Sequence, residues 1–301
     1  MAKTKHPLAF AIIGTGMVGT AIGALLKKAG HKIASLADTS PANLTRASVF
    51  LGKIPSFQDP AQAAVKADCL LITTPDDVIG QACSYVAQRA NLKRKKVFHM
   101  SGAGGLDLLE PATRAGAVVG CIHPLQSFSS IEGAIKTIPG SYFGVTAGRG
   151  SKSLATSLVH DLGGIPINVT SRQKPLYHLA ACMASNYLVT LMSLVESVSR
   201  SIGFSKKDAG QAFLPLVYGS LKNIEAQGSA KALTGPIARG DAGTIRKHLL
   251  ALTDNLPELA PIYTQLGHAT INLALKKGTL TPDQAKIISG LLKGVENERT
   301  K

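Results

Sequence analysis

The segment Ala9-Phe10-Ala11-Ile12-Ile13-Gly14-Thr15-Gly16-Met17-Val18-Gly19 constrains the chain more than any other. It passes from an apolar strand pattern through three spaced glycines into a helical pattern, the context in which G-x-G-x-x-G marks a dinucleotide-binding turn. Gly14 permits the tight turn, Gly16 lets the main chain approach a pyrophosphate, and Gly19 lets the helix lie close to the strand. The helix that opens beside Thr15, Met17 and Val18 then offers unpaired N–H groups and partial positive charge to the phosphates.

The alternation continues downstream. Strands are expected at Leu8 to Ile13, Lys32 to Ala37, Cys69 to Thr74, Lys96 to Met100 and Ala117 to Ile122, with amphipathic stretches such as Met17 to Ala29 and Asp77 to Ala90 between them. That is the sequence form of a parallel sheet with crossover helices. Two more β-rich segments, Tyr142 to Thr146 and Ile165 to Val169, flank a helical stretch from Ser151 to Leu162. Near Thr170 the character changes. Leu176 to Ile202 is long, apolar and nearly free of Gly and Pro, and is expected to form a mostly buried helix. Helical patterns follow at Ser205 to Gln227, Gly243 to Thr253, Leu256 to Lys276 and Thr281 to Glu298. The expected architecture is α/β: a Rossmann-type doubly wound parallel sheet over residues 1–170, then an all-α domain over 171–301 that serves substrate binding and dimerisation.

Composition removes other classes. Hydrophobic residues are 45% of the 301, too many for a chain that stays open in water. No apolar run approaches the roughly 18 residues of a membrane span, so no membrane association is expected. The basic start, Met1 to His6, lacks the apolar stretch of a signal peptide. Cys69, Cys83, Cys121 and Cys182 are widely spaced and read as reduced thiols, which places the chain in the cytoplasm; no metal-ligand set is expected. The formal charge is +15, but the basic residues are dispersed except at Lys93-Arg94-Lys95-Lys96, and aromatics are 5% with no Trp. Without a stacking platform, nucleic acid is not the expected partner.

Asp38 ends the second strand 24 positions after Gly14, where a carboxylate accepts hydrogen bonds from ribose hydroxyls and favours NAD. Thr39, Ser40 and Arg46 offer donors to a 2′-phosphate, so NAD and NADP both remain open. Asp38 also reads as a turn or capping residue before Pro41. Thr74 and Pro75 close the next clear strand and are placed on the nicotinamide-ribose side of the crevice. Ser101, His123 and Gln126 follow the carboxyl ends of later strands and are candidates to hold a small carboxylate-bearing substrate. A proton donor is sought where the helical half begins: Lys174 and His178 are the candidates, with Asn186 orienting the carbonyl. In the loop Leu233 to Asp241, Arg239 either clamps a carboxylate or pairs with Asp241, which caps the next helix.

Taken together, the glycine loop, His99 to Ala103, His123 to Phe128, Lys174 to Asn186 and Leu233 to Asp241 resemble a bacterial family of Rossmann-like oxidoreductases with a helical C-terminal domain of uncharacterised type. Some members act as an alternative type of ketopantoate reductase. The chain is more distantly similar to pyrroline-5-carboxylate reductases, prephenate dehydrogenases and β-hydroxyacid dehydrogenases, whose helical domain, of the 6-phosphogluconate dehydrogenase C-terminal type, often builds a dimer. The resemblance implies an NADP- or NAD-dependent reductase of a small 2-oxo acid, with ketopantoate first and a pyrroline-type imine second. It also implies a homodimer, and it carries catalytic Lys and Asn roles onto Lys174 and Asn186. A non-catalytic NAD(P) sensor is the reading from a different class. Asp38-Thr39 departs from NADP-preferring relatives, which often place Arg there.

Overall fold

The computed structural model describes residue 4 and residues 6–148 and 150–298, so part of the basic N-terminal stretch lies outside the described residues. The chain divides into two compact units, the first reaching Asn186 and the second beginning at Tyr187.

The first unit is built on eight strands. In chain order its elements are β1 (Ala9–Ile13), α1 (Met17–Lys28), β2 (Lys32–Ala37), α2 (Pro41–Leu51), β3 (Ser56–Phe57), α3 (Pro60–Ala64), β4 (Cys69–Ile72) and α4 (Ile79–Arg89). These are followed by β5 (Lys96–His99), α5 (Glu110–Arg114), β6 (Val118–Pro124), α6 (Ile131–Thr137), β7 (Tyr142–Ala147), α7 (Lys152–Asp161), β8 (Ile165–Asn168) and α8 (Lys174–Ala184). The spatial order is β3-β2-β1-β4-β5-β6-β7-β8. Its first six positions form the doubly wound Rossmann arrangement, with the switch point between β1 and β4. Every pairing is parallel except β6 with β7, which is antiparallel.

Side-chain alternation on β1 explains the two layers of helices. Phe10 and Ile12 enter one core with Ile22 and Leu25 of α1 and Phe98 of β5. Ala11 and Ile13 enter the other, with Leu70 and Ile72 of β4 and Cys83 and Val86 of α4. A strand buried on both faces is apolar at every position, which is why this segment reads as a continuous run.

The second unit is helical: α9 (Asn186–Ser201, starting at the division), α10 (Lys206–Gln211), α11 (Leu214–Ala232), α12 (Ala242–Asn255), α13 (Ala260–Lys277) and α14 (Pro282–Glu298). Its core is formed by Ile245 and Leu249 of α12, Ile271 and Ala274 of α13, and Ile288 and Leu292 of α14. The stretch expected as one helix from Ser205 to Gln227 is two, and α11 itself breaks at Gly228, where φ is +77°.

Two expectations are corrected. The run Leu176 to Ile202 is neither one helix nor mostly buried: Ser185 interrupts it with ψ at −69°, and Leu176 and Val189 are 72% and 69% exposed. The segment Ser171–Ser201 is also long and apolar enough to cross a membrane by length and composition, with mean hydropathy 1.4 over its most apolar window. Sequence composition changes at Thr170, whereas the compact units divide after Asn186. The difference is α8, whose Lys174 and Tyr177 reach into the sheet unit.

Candidate active site

The glycine loop is shaped by close approach. Gly14 has φ +94°, and a Cβ there would lie 2.7 Å from the Thr74 nitrogen. A Cβ on Gly19 would lie 2.1 Å from the Gly14 oxygen, so no side chain fits. Thr73 Oγ1 donates to that same oxygen at 2.6 Å and ties β4 to the loop. Gly16 differs, because a Cβ there would meet nothing within 4 Å. It is the N-cap of α1, and no side chain caps the helix; its first turn holds no acidic residue. The amides of that turn are left for an anion.

Beside the loop lies a cleft of about 890 Å³, lined by Gly14, Gly16, Asp38, Ser40, Thr74 and Tyr85 among others. Thr39 and Pro75 also line it. Thr74 Oγ1 is buried without a hydrogen-bond partner among the described residues. A buried hydroxyl in that state costs about 1–3 kcal/mol, which a ligand group can relieve. The open Gly16, the uncapped helix start and the orphaned Thr74 hydroxyl therefore fit a dinucleotide.

Asp38 is heavily engaged. Its Oδ2 accepts from the Thr15 nitrogen at 2.7 Å and from Thr15 Oγ1 at 3.1 Å. Its Oδ1 accepts from the Ser40 nitrogen at 2.9 Å, and Asn43 Nδ2 donates to both oxygens at 3.2 Å. Ser40, not Asp38, is the N-cap of α2.

At the carboxyl edge of β4, β5 and β6 a second group of side chains converges. Ser101 Oγ donates to Asp76 Oδ2 at 2.5 Å and accepts from the Gly104 nitrogen at 2.7 Å. The Ser101 nitrogen donates to His99 Nδ1, so the His99 proton sits on Nε2, which donates to the Gly105 carbonyl at 3.0 Å. Burial, then the nearby Lys174 ammonium, pushes His99 down to about 4. Lys174 is 1% exposed, and its Nζ donates to the Ser101 carbonyl at 2.6 Å and to Cys121 Sγ at 3.0 Å. The Cys121 thiol is pushed up, mainly by burial.

His123 Nδ1 lies 2.9 Å from Tyr177 Oη, and the His123 and His178 rings are 6.1 Å apart. Burial, then Lys174 and His178, lowers His123 to about 4, so its ring is neutral at pH 7. Burial raises Tyr177 to about 12, keeping its hydroxyl protonated. Two glycines make this arrangement possible. A Cβ on Gly144 of β7 would strike Tyr177 Oη at 2.7 Å, and one on Gly102 would lie 2.4 Å from His178 Cδ2 and 2.8 Å from His123 Nε2.

The structure thus brings Ser101, His123, Lys174 and His178 together. The remaining candidates have contacts of their own. Gln126 Nε2 donates to Ser141 Oγ at 3.3 Å. Asn186 opens α9 directly after the Ser185 break, twelve residues beyond Lys174. Arg239 is exposed in a loop of the helical unit, while Asp241 caps α12 by accepting from the Thr244 nitrogen at 2.9 Å. Sequence reasoning missed Asn43, Gly102 and Tyr177 as site residues. Tyr177 was signalled by a polar group next to His178 on an apolar helix, and Gly102 by its place between Ser101 and Ala103 after a strand end.

Comparison with known proteins agrees with this architecture. Residues 3–124 match the model of a Rossmann-like domain, and residues 141–270 match a domain of unknown function, DUF2520. The two matches follow one another along the chain, the second beginning just before β7. Comparison with curated proteins finds no match. Among solved structures, a Bacteroides fragilis protein described provisionally as an NADP oxidoreductase is similar with TM-score 0.74 and 18% identity, covering 88% of this chain and 98% of that one. A Thermotoga maritima protein, TM1727, is similar with TM-score 0.62 and 19% identity, over 96% and 99% of the two chains. A pyrroline-5-carboxylate reductase from Coxiella burnetii gives 0.57 and 17%, over 90% and 99%. At these identities the likeness establishes the fold.

Proposed function

We propose that this chain is an NAD(P)H-dependent reductase of a small 2-oxo or imino acid. The observation that carries the reading is the cleft at the β1–β4 switch point, where the open Gly16, the uncapped start of α1 and the unpartnered Thr74 hydroxyl await a dinucleotide. The Bacteroides and Coxiella relatives, named for NADP and for pyrroline carboxylate reduction, support the same class. When bound, a reduced nicotinamide supplies hydride.

The chain's own residues then bind, orient and protonate. In this reading the Tyr177 hydroxyl, 2.9 Å from Nδ1, donates to neutral His123, which carries its proton on Nε2 and offers it to the substrate's carbonyl oxygen or imine nitrogen. Gly102 leaves the space that atom occupies. His178, partly open to solvent, delivers the proton. Lys174 is better placed to hold the Ser101 carbonyl than to protonate substrate, because its ammonium is buried on that oxygen and on Cys121. Ketopantoate is the first substrate to test and pyrroline-5-carboxylate the second.

The assembly proposed is a homodimer. Within the helical unit Val189 of α9 and Leu216 and Tyr218 of α11 are 59–69% exposed, a set of large apolar side chains that suits a partner surface. A second copy covers it in this reading, and light scattering of the purified protein at micromolar concentration reports a mass of twice 31.3 kDa.

The test of function is single-turnover oxidation of NADH and NADPH with each substrate, using wild type and His178→Asn. The variant is expected to bind cofactor normally and to transfer hydride about 10²-fold more slowly. Turnover of neither substrate with tight cofactor binding favours a nucleotide sensor instead.

A further inference from the structure

An acidic residue at the end of β2 ordinarily accepts hydrogen bonds from the ribose diol and so separates NAD from NADP. Asp38 stands at that position, but its acceptors are already used. Thr15 contributes a backbone N–H and a hydroxyl, Ser40 a backbone N–H, and Asn43 its side-chain amide. A carboxylate has about four lone-pair sites, and these donors fill them. The amide of Asn43 is itself oriented, because Arg46 Nη2 donates to Asn43 Oδ1 at 2.6 Å and leaves Nδ2 facing Asp38. A directed chain therefore runs from Arg46 through Asn43 and Asp38 to the glycine loop. It ends on Thr15, which is fully buried between the two glycines that touch a pyrophosphate.

We propose that Asp38 is a positioning residue that latches the Gly14–Gly16 turn, and that discrimination between the two cofactors does not run through it. The proposal rests on the dinucleotide assignment above and concerns only how the chain holds that site. The latch fixes Thr15 and thereby the direction in which Gly16 and the first turn of α1 present their amides. With its lone pairs taken by Thr15, Ser40 and Asn43, the carboxylate offers the 2′-position no free acceptor. The hydroxyls of Thr39 and Ser40 line the same cleft, and no side-chain hydrogen bond engages them among the described residues.

The two roles predict opposite behaviour for Asp38→Asn. The introduced amide faces other donors and removes the charge that holds them. If Asp38 is a latch, NADH and NADPH both bind about tenfold more weakly by calorimetry, their ratio stays as in wild type, and the Thr15 amide exchanges faster in the unliganded protein. Asn43→Ala, which keeps the carboxylate, is expected to weaken both cofactors in parallel and by less. If Asp38 is the ribose selector, NADH weakens while NADPH tightens, and Thr15 exchange is unchanged; that result overturns the proposal and leaves the dinucleotide assignment intact. Wild-type protein that is folded and binds neither cofactor removes both.

Discussion

Lys174 Nζ reaches 73 positions back along the chain to donate to the Ser101 carbonyl oxygen at 2.6 Å. The contact links the first turn of α8 to the loop that leaves β5, and it buries an ammonium group with no carboxylate among its hydrogen-bond partners. Such a charge is expensive to hold unless geometry rewards it. Here it adds to burial in lowering the pKa of His99 and of His123, and it anchors the backbone that carries Gly102.

Replacing Lys174 with Met keeps the volume and removes the charge. The His123 ring then titrates at higher pH, because one of its lowering influences is gone, and ring-proton NMR follows the change directly. Hydride transfer falls because the Ser101–Gly102 loop loses its anchor, whereas cofactor affinity stays within twofold of wild type.

Gly102→Ala tests the space between the imidazoles. The added methyl comes within 2.4 Å of His178 Cδ2 and 2.8 Å of His123 Nε2, so it both fills the proposed acceptor position and displaces the rings. Turnover is expected to drop about 10²-fold with unchanged NAD(P)H binding.

Gly16→Ala and Gly19→Ala should separate binding from folding. A methyl on Gly16 meets no protein atom within 4 Å, so the protein keeps its melting temperature and loses cofactor affinity. A methyl on Gly19 meets the Gly14 oxygen at 2.1 Å and forces α1 from β1, costing about 1–3 kcal/mol in thermal or urea unfolding.

Acid weakens the fold through His99. Its folded-state pKa is about 4, against about 6.5 when unfolded, so between these values the unfolded chain binds the extra proton. Stability is full above pH 6.5 and falls as pH drops toward 4, by about 3 kcal/mol for this ring. Urea midpoints measured across that window show the loss, and His99→Gln reduces it while the share of His123 remains.

Much of the fold was legible because its signals are local. The apolar run before Gly14 and the glycine spacing place β1, the turn and α1, and each glycine's job reappears as a distance. Thr74 and Pro75 line the cleft expected of them. What escaped depends on partners far apart in sequence. Nothing local in the sequence announces that Asp38 accepts from Thr15 and Asn43. Nor does anything local announce that Lys174 Nζ donates to the Ser101 carbonyl and to Cys121 Sγ. The exposure of Leu176 in α8 and of Val189 in α9 was misjudged because apolarity alone does not distinguish a core position from a surface one.

The antiparallel seam between β6 and β7 has a practical corollary for dissecting this molecule. The Rossmann-like match stops at residue 124, yet five residue pairs stitch β7 onto β6 immediately beyond the glycine-loop half of the sheet. A fragment cut at that match boundary would bare a hydrophobic strand edge and strip His123 of its tyrosine, inviting self-association through open backbone amides. Exchange of modules with a relative should instead carry the junction past Ala184, so that sheet, seam and α8 travel as one piece.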